Sequence, residues 1–246
     1  MVQDKKGVLY LIPTVISEGT VDKVVSAGIL DAVSKLDYYL VENLRTARRY
    51  ISELNRTFDQ LQLPKPIEEI KFLELSKNTE DNEVRKQLCL VAEGRSAGVI
   101  SEAGCPGVAD PGAVAVRYAH SLGIKVVPLV GPSSILLALM ASGFNGQSFV
   151  FHGYLPIEKK QRADTLRALE RDAQKKHQTQ IFMETPYRNQ QLLEDILQVC
   201  NEQTMLCIAK DLTGEREYVV TKSVKSWKGE KLDLHKIPVV FALFHG

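Results

Sequence analysis

The sequence predicts an α/β protein of two domains, and three observations carry that prediction. Short apolar runs alternate with helix-like stretches along the first half of the chain, the pattern of a mainly parallel sheet. The same alternation restarts after Val130. Proline and glycine cluster between Leu129 and Pro132, which divides the chain into an N-terminal α/β domain of residues 1–129 and a C-terminal α/β domain of residues 130–246. Two such domains leave a cleft between them, a common place for a small ligand.

Taken in order, residues 7–12 (GVLYLI) form a continuous apolar strand stopped by Pro13. Thr20 is placed to cap a helix beginning at Val21, with Asp22 in its first turn, interrupted near Gly28 and resuming through Leu36. Residues 38–41 are a second apolar strand, and 46–54 a helix beside a local basic cluster of Arg45, Arg48 and Arg49. Pro64 and Pro66 mark a loop before an alternating, half-exposed strand at 70–75. A helix over 82–93 turns Val84, Leu88 and Val91 to one face; strands at 98–101 and 126–129 enclose a helix at 113–121. In the second half, an apolar helix over 135–141 opens at Gly131-Pro132-Ser133-Ser134, followed by a strand at 149–153. A charged helix over 161–176 carries Leu166, Leu169 and Ala173 inward, and Arg162 and Arg167 are read on its solvated face with Lys159 and Lys160. A strand at 180–183, a helix at 190–199 and a strand at 205–209 precede two antiparallel additions at 215–221 and 238–244.

Composition excludes several classes. The chain has 246 residues, with 31 basic and 30 acidic side chains giving a net charge of +1, so no global field draws nucleic acid and any such partner must meet local patches. Cys89, Cys105, Cys200 and Cys207 show no metal-ligand spacing; no metal is expected, and the four are read as buried free thiols. The polar start and the proline-broken apolar stretch 126–144 predict a cytoplasmic protein without a signal peptide or membrane span.

The chemistry-bearing pattern is the loop Ser101-Glu102-Ala103-Gly104-Cys105-Pro106-Gly107-Val108-Ala109-Asp110-Pro111-Gly112, set between a strand and a helix. Its glycines allow close backbone approach, and its two carboxylates, Glu102 and Asp110, suit a polar ligand with a cation or hydroxyls and repel a polyphosphate. Asp-Pro-Gly is also ordinary turn chemistry, so both readings stand. The loop from Pro13 to Gly19 lacks a G-x-G-x-x-G run or a Walker lysine, which argues against dinucleotide or ATP binding. Ser133 and Ser134 are placed to cap a helix, whose N–H groups also suit a carboxylate. Glu184 with Arg188, and Lys210 with Asp211, follow apolar strands, where surface ion pairing and ligand contact are both open readings.

These residues resemble the tetrapyrrole methylase superfamily, and within it the bacterial branch that 2′-O-methylates 16S ribosomal RNA. Residues 101–112 resemble its S-D-A-G-x-P-x-x-x-D-P-G signature. Leu11-Ile12-Pro13-Thr14 is similar to its V-P-T, and 126–134 to its V-V-P-L-P-G-P-x-A. Residues 138–144 resemble A-L-S-A-S-G-L, Gly153-Tyr154-Leu155-Pro156 resembles G-F-L-P, 181–188 resembles I-F-Y-E-S-x-x-R, and 209–213 resembles A-R-E-L-T. The resemblance implies a homodimer of two-domain α/β chains with S-adenosylmethionine held in the interdomain cleft. By motif position the cofactor contacts are Pro13, Ser101, Ala103, Gly104, Asp110, Ser133, Ser134, Met183, Ala209 and Leu212. It implies methyl transfer to a ribose of ribosomal RNA, with the RNA or the small ribosomal subunit as partner and Glu42, Arg45, Glu184 and Lys210 as candidate catalytic residues. A tetrapyrrole or other small acceptor is an alternative, as is a non-catalytic paralogue that keeps the cofactor. The chain departs from the family at Val15–Gly19, at Val41-Glu42-Asn43-Leu44-Arg45 where A-E-D-T-R is usual, at Glu102 and at Met183.

Overall fold

The computed structural model describes residues 6–76 and 78–245. The chain divides into two units, Met1–Pro132 and Ser133–Gly246.

In the first unit β1 (Val8–Ile12) leads to two short helices, α1 (Val21–Val24) and α2 (Ala27–Val33). The interruption expected near Gly28 falls at Val25 and Ser26 instead, and Gly28 lies inside α2. Thr20 precedes α1 but its side chain does not cap it; the hydroxyl donates back to the Ser17 carbonyl at 2.7 Å. Next come β2 (Tyr38–Val41), α3 (Leu44–Thr57), β3 (Lys71–Glu74), α4 (Asp81–Ala92), β4 (Ala97–Ile100), α5 (Gly112–Ser121) and β5 (Lys125–Pro128). Asn43 starts α3, its Oδ1 accepting the Arg45 and Thr46 N–H groups at 2.9 and 3.2 Å, a cap that stabilises a helix by about 1 kcal/mol.

The sheet order is β3-β2-β4-β1-β5, and all four pairings are parallel. Alternation along the strands explains why both faces are covered. In β2, Tyr38 and Leu40 pack with Leu88, Val91 and Ala115 from α4 and α5, while Tyr39 and Val41 pack with Ile29, Ile51 and Leu54 from α2 and α3.

The second unit runs α6 (Ser134–Ser142), β6 (Phe149–Tyr154), α7 (Lys159–Lys176), β7 (Thr179–Met183), α8 (Asn189–Val199), β8 (Met205–Lys210), β9 (Tyr218–Ser223), α9 (Val224–Trp227) and β10 (Val239–Phe244). The strand expected at 215–221 starts later, and the single turn α9 follows it. Its sheet, β6-β7-β10-β8-β9, has one parallel pair, β6 with β7; β10 runs antiparallel to both β7 and β8. Residues of alternate parity again separate the faces: Phe182, Ile208 and Phe241 pack with α7, α8 and α9, and Ile181, Ala209 and Val240 pack with α6.

Arg162 does not lie on a solvated face. Its side chain is buried, its Nε donates to Asp195 Oδ2 at 2.8 Å, and its Nη1 donates to the Ile157 carbonyl at 2.6 Å, so it ties α7 to α8 and to the preceding loop. Of the four free thiols only Cys200 and Cys207 are buried; Cys89 is exposed and Cys105 half-buried. Among the described residues no helix is long and apolar enough to cross a membrane.

Candidate functional site

The carboxyl edge of the first sheet brings three sequence-predicted residues together. Ile12, Ile100 and Val41 are register partners across β1, β4 and β2, so Pro13, Ser101 and Glu42 leave the sheet side by side. The pairing extends one step, since the Glu42 N–H donates to the Ile100 carbonyl at 3.1 Å. Pro13 is fixed from two sides. Its carbonyl accepts the hydroxyl of Tyr50, a buried residue of α3, at 2.9 Å. Gly131 lies against its ring so closely that a Cβ at 131 would sit 2.3 Å from the Pro13 Cβ.

The loop after β4 is latched by its own hydrogen bonds. Gly104 and Gly107 have φ of 71° and 83°, where glycine bears no steric penalty, and Ala109 is drawn to 61°. The Gly104 carbonyl accepts the Thr14 N–H at 2.9 Å and lies 3.2 Å from the Ser101 hydroxyl. Asp110 closes the loop: its Oδ1 accepts the N–H groups of Gly107 at 2.8 Å and Gly112, the first residue of α5, at 2.6 Å. Its Oδ2 is buried with no partner among the described residues. Burial pushes the Asp110 carboxyl above its ordinary pKa, the two backbone donors oppose this only in part, and the Glu42 charge adds to the rise. Glu42 Oε2 in turn accepts the Glu102 N–H at 3.1 Å. Ala103 and Glu102 are exposed beside them. Cys105 points its sulfur at the Pro132 carbonyl, 3.3 Å away; burial and then the Asp110 charge raise its thiol, the wrong direction for an activated nucleophile.

Arg45 stands in the first turn of α3, exposed and without an ion pair among the described residues. A pocket of about 500 Å³ opens alongside, lined by Thr14, Glu18, Arg49, Arg56, Ser101 and Glu102. The sequence marks Thr14 and Glu18 only as members of the Pro13–Gly19 loop, and Tyr50 and Arg56 not at all. Tyr50 falls on the apolar stripe of α3, and nothing in its spacing announces the bond to Pro13.

The second unit presents its own set. Strands β7 and β8 both oppose β10 and therefore end at the same edge of the sheet. Met183 and Ala209 share the register partner Val240, so they lie in one row. Glu184 follows at 5% exposure, its Oε1 accepting the Thr185 N–H at 2.6 Å and the Arg188 Nη2 at 2.7 Å. Lys210 holds its ammonium 5.3 Å from the Tyr218 ring centroid, a cation–π distance. Leu212 is buried with Ala209 against α6, and Ala209 lies within β8, paired with Val240 on one side and Val219 on the other. Asp211 and Thr213, on either side of Leu212, both have positive φ, which makes this connection a tight one. Ser133 caps α6 through a long 3.4 Å bond from the Leu136 N–H, and Ser134 is the first helical residue.

Comparison with known proteins shows the family and the fold. The family model described as tetrapyrrole (corrin/porphyrin) methylases matches residues 21–227. A ribosomal RNA small subunit methyltransferase I from Buchnera aphidicola subsp. Schizaphis graminum is 28% identical, covering 99% of this chain and 80% of the relative. The protein of the same name from Vibrio cholerae is 31% identical over 86% of this chain and 67% of its own length, and that from Bacillus subtilis 27% identical over 91% and 71%. Among solved structures, the methyltransferase CobJ superposes with a TM-score of 0.62 at 16% identity, covering 98% of this chain and 95% of CobJ. The uroporphyrin-III-C-methyltransferase from Thermus thermophilus superposes with a TM-score of 0.52 at 17% identity, covering 97% and 92%. The fold is therefore that of these methyltransferases, and with the family match over residues 21–227 the chain belongs to the tetrapyrrole methylase family of methyltransferases.

Proposed function

We propose that this chain transfers a methyl group from S-adenosylmethionine to ribosomal RNA, at a ribose 2′-hydroxyl. The observation that carries the reading is the row Pro13, Ser101 and Glu42 beside the latched loop of Asp110, in a chain whose relatives are named ribosomal RNA small subunit methyltransferase I. The residues fit the cofactor. Asp110 Oδ2 is a buried acceptor without a donor among the described residues, and S-adenosylmethionine carries an ammonium and ribose hydroxyls. The exposed Ala103 and the bare Gly104 leave room beside it. The contacts proposed in the first unit are Pro13, Ser101, Ala103, Gly104 and Asp110; in the second they are Ser133, Ser134, Met183, Ala209 and Leu212.

When bound, the cofactor supplies a methyl group on a sulfonium, already an electrophile. The work left to the chain is alignment and proton handling. A loop fixed by its own hydrogen bonds holds its groups in place before the reaction, and alignment of two reactants supplies up to ~7–11 kcal/mol. Glu42, half-buried at the sheet edge, takes the proton that the attacking hydroxyl loses. Arg45 offsets phosphate charge one turn away. Lys210 remains a candidate for the same electrostatic role, and Glu184 acts through Arg188, whose guanidinium it holds. The motif resemblance also supports a cytoplasmic location and a homodimer, and sedimentation velocity reads the oligomeric state directly.

Labelled S-adenosylmethionine and small ribosomal subunits lacking the modification test the proposal. Methyl incorporation into the RNA is expected with the intact chain and not with Asp110→Ala. Tight cofactor binding without any incorporation would overturn the RNA reading.

A further inference from the structure

We propose that Arg49 and Arg56 on α3 form a rail for the phosphate backbone of single-stranded RNA, and that Glu18 occupies part of that rail as an internal stand-in for a phosphate. The inference deepens the reading of RNA as the substrate and rests on it.

The pocket that Arg49 and Arg56 line, with the carboxylates of Glu18, Glu53 and Glu102, reaches Thr14 and Ser101, at the carboxyl ends of β1 and β4. A strand laid along α3 is thereby delivered to the edge where Pro13, Ser101 and Glu42 stand. At 100° per residue, positions 45, 49 and 56 fall within about 40° of one another, so exposed cations recur along one side of α3, with the half-buried Glu53 at the margin of that line. Arg48 lies apart from this line; its guanidinium sits 5.5 Å from the Phe72 ring centroid.

Arg49 Nη2 donates to Glu18 Oε1 at 2.8 Å, with side-chain exposures of 66% and 84%. An ion pair so open to water is held weakly. A phosphate presents guanidinium with the same fork of oxygens and a fixed charge, and competes well for it. Arg45 and Arg56 have no ion pair among the described residues. A chain of net charge +1 has no general attraction for RNA, so a local line of cations is what can supply it.

The test is fluorescence anisotropy of a labelled single-stranded RNA oligonucleotide titrated with the intact chain. Arg49→Ala/Arg56→Ala is expected to weaken binding about tenfold and to lower the slope of log K against log salt by about 1.4, the loss of two phosphate contacts on a single strand. Glu18→Gln is expected to tighten binding about twofold. Arg48→Gln, an equal charge loss per site elsewhere on the helix, leaves both quantities near wild type. The rail is overturned if the double variant binds RNA as the wild type does, if Arg48→Gln has the same effect as Arg49→Ala alone, or if Glu18→Gln weakens binding. Failure of the parent reading looks different. RNA binding that depends on Arg49 and Arg56 without any methyl transfer sinks the proposed activity and leaves the rail. Methyl transfer with RNA binding indifferent to both arginines sinks the rail alone.

Discussion

The two edges of the first sheet carry carboxylates with opposite surroundings. At the amino edge Asp37, just before β2, receives the Arg95 Nε at 3.0 Å and the Lys65 ammonium at 2.5 Å, and the Arg95 guanidinium also sits 5.0 Å from the Tyr38 ring centroid. Burial would raise its carboxyl, but the two cations outweigh it and hold Asp37 below its ordinary pKa. At the carboxyl edge Asp110 meets no cation among the described residues. It has Glu42 near it, one oxygen without a partner among those residues, and a pKa raised by burial first and by that like charge. One edge is built so that its charges satisfy one another; the other keeps a polar group in want of a partner. Gln87, Arg188, Asn189 and Thr213 also bury a side-chain polar atom without a partner among the described residues; Asp110 differs from these in lying at the carboxyl edge of the parallel sheet, in the loop to which the proposed function assigns the cofactor.

The largest effect that would sharpen this contrast is on cofactor binding. Asp110→Ala removes two backbone bonds to a carboxylate, each worth about 1.5–3 kcal/mol, and unlatches the loop; affinity for S-adenosylmethionine is expected to fall about a hundredfold. Asp37→Ala should leave that affinity unchanged and cost about 1 kcal/mol of stability, because its partners are partly exposed. Native-state hydrogen exchange of the β2 and β4 amides reads that loss within the first unit. Equal effects of the two substitutions on cofactor affinity would erase the distinction.

The pH dependence should differ in sign. Asp37 has a depressed folded pKa, so its contribution is complete above the ordinary carboxylate range and is lost as pH falls through the folded value. Asp110 has a raised one, so charging it in the folded state costs stability as pH rises from the ordinary range through the folded value. Between pH 4 and 8, stability of wild type relative to Asp37→Asn should hold, falling only at the acid end. Relative to Asp110→Asn it should decline as pH rises. The same exchange measurement, repeated across pH, checks both. The smallest effect on cofactor binding is expected from Glu42→Gln, which keeps an acceptor for the Glu102 N–H but removes the charge beside Asp110. Cofactor affinity should stay within about threefold, with the Asp110 titration shifted down.

Much of this was legible in the residues, and the reasons for the rest are physical. Apolar runs such as 38–41 and the stripe of Ala47, Tyr50, Ile51 and Leu54 report their own secondary structure, because local pattern and burial agree there. The order β3-β2-β4-β1-β5 was not legible: nothing in β4 says that it lies between β1 and β2. Yet that order is what sets Ser101 between Pro13 and Glu42. Arg162 reads as one of several surface cations, and only Asp195, 33 residues away, makes it a buried one. The break between α1 and α2 carries no proline, and the glycine that invited it at 28 is tolerated within a helix. The motif 101–112 named the loop; that Asp110 latches it through Gly107 and Gly112 while leaving Oδ2 unpartnered is visible only in three dimensions.

Calorimetric titration of S-adenosylmethionine into wild type, Asp110→Ala and Asp37→Ala separates the two carboxylates. Saturable binding to wild type and Asp37→Ala with the same affinity is expected, and none or about a hundredfold weaker binding to Asp110→Ala. Binding to Asp110→Ala at wild-type affinity would contradict it.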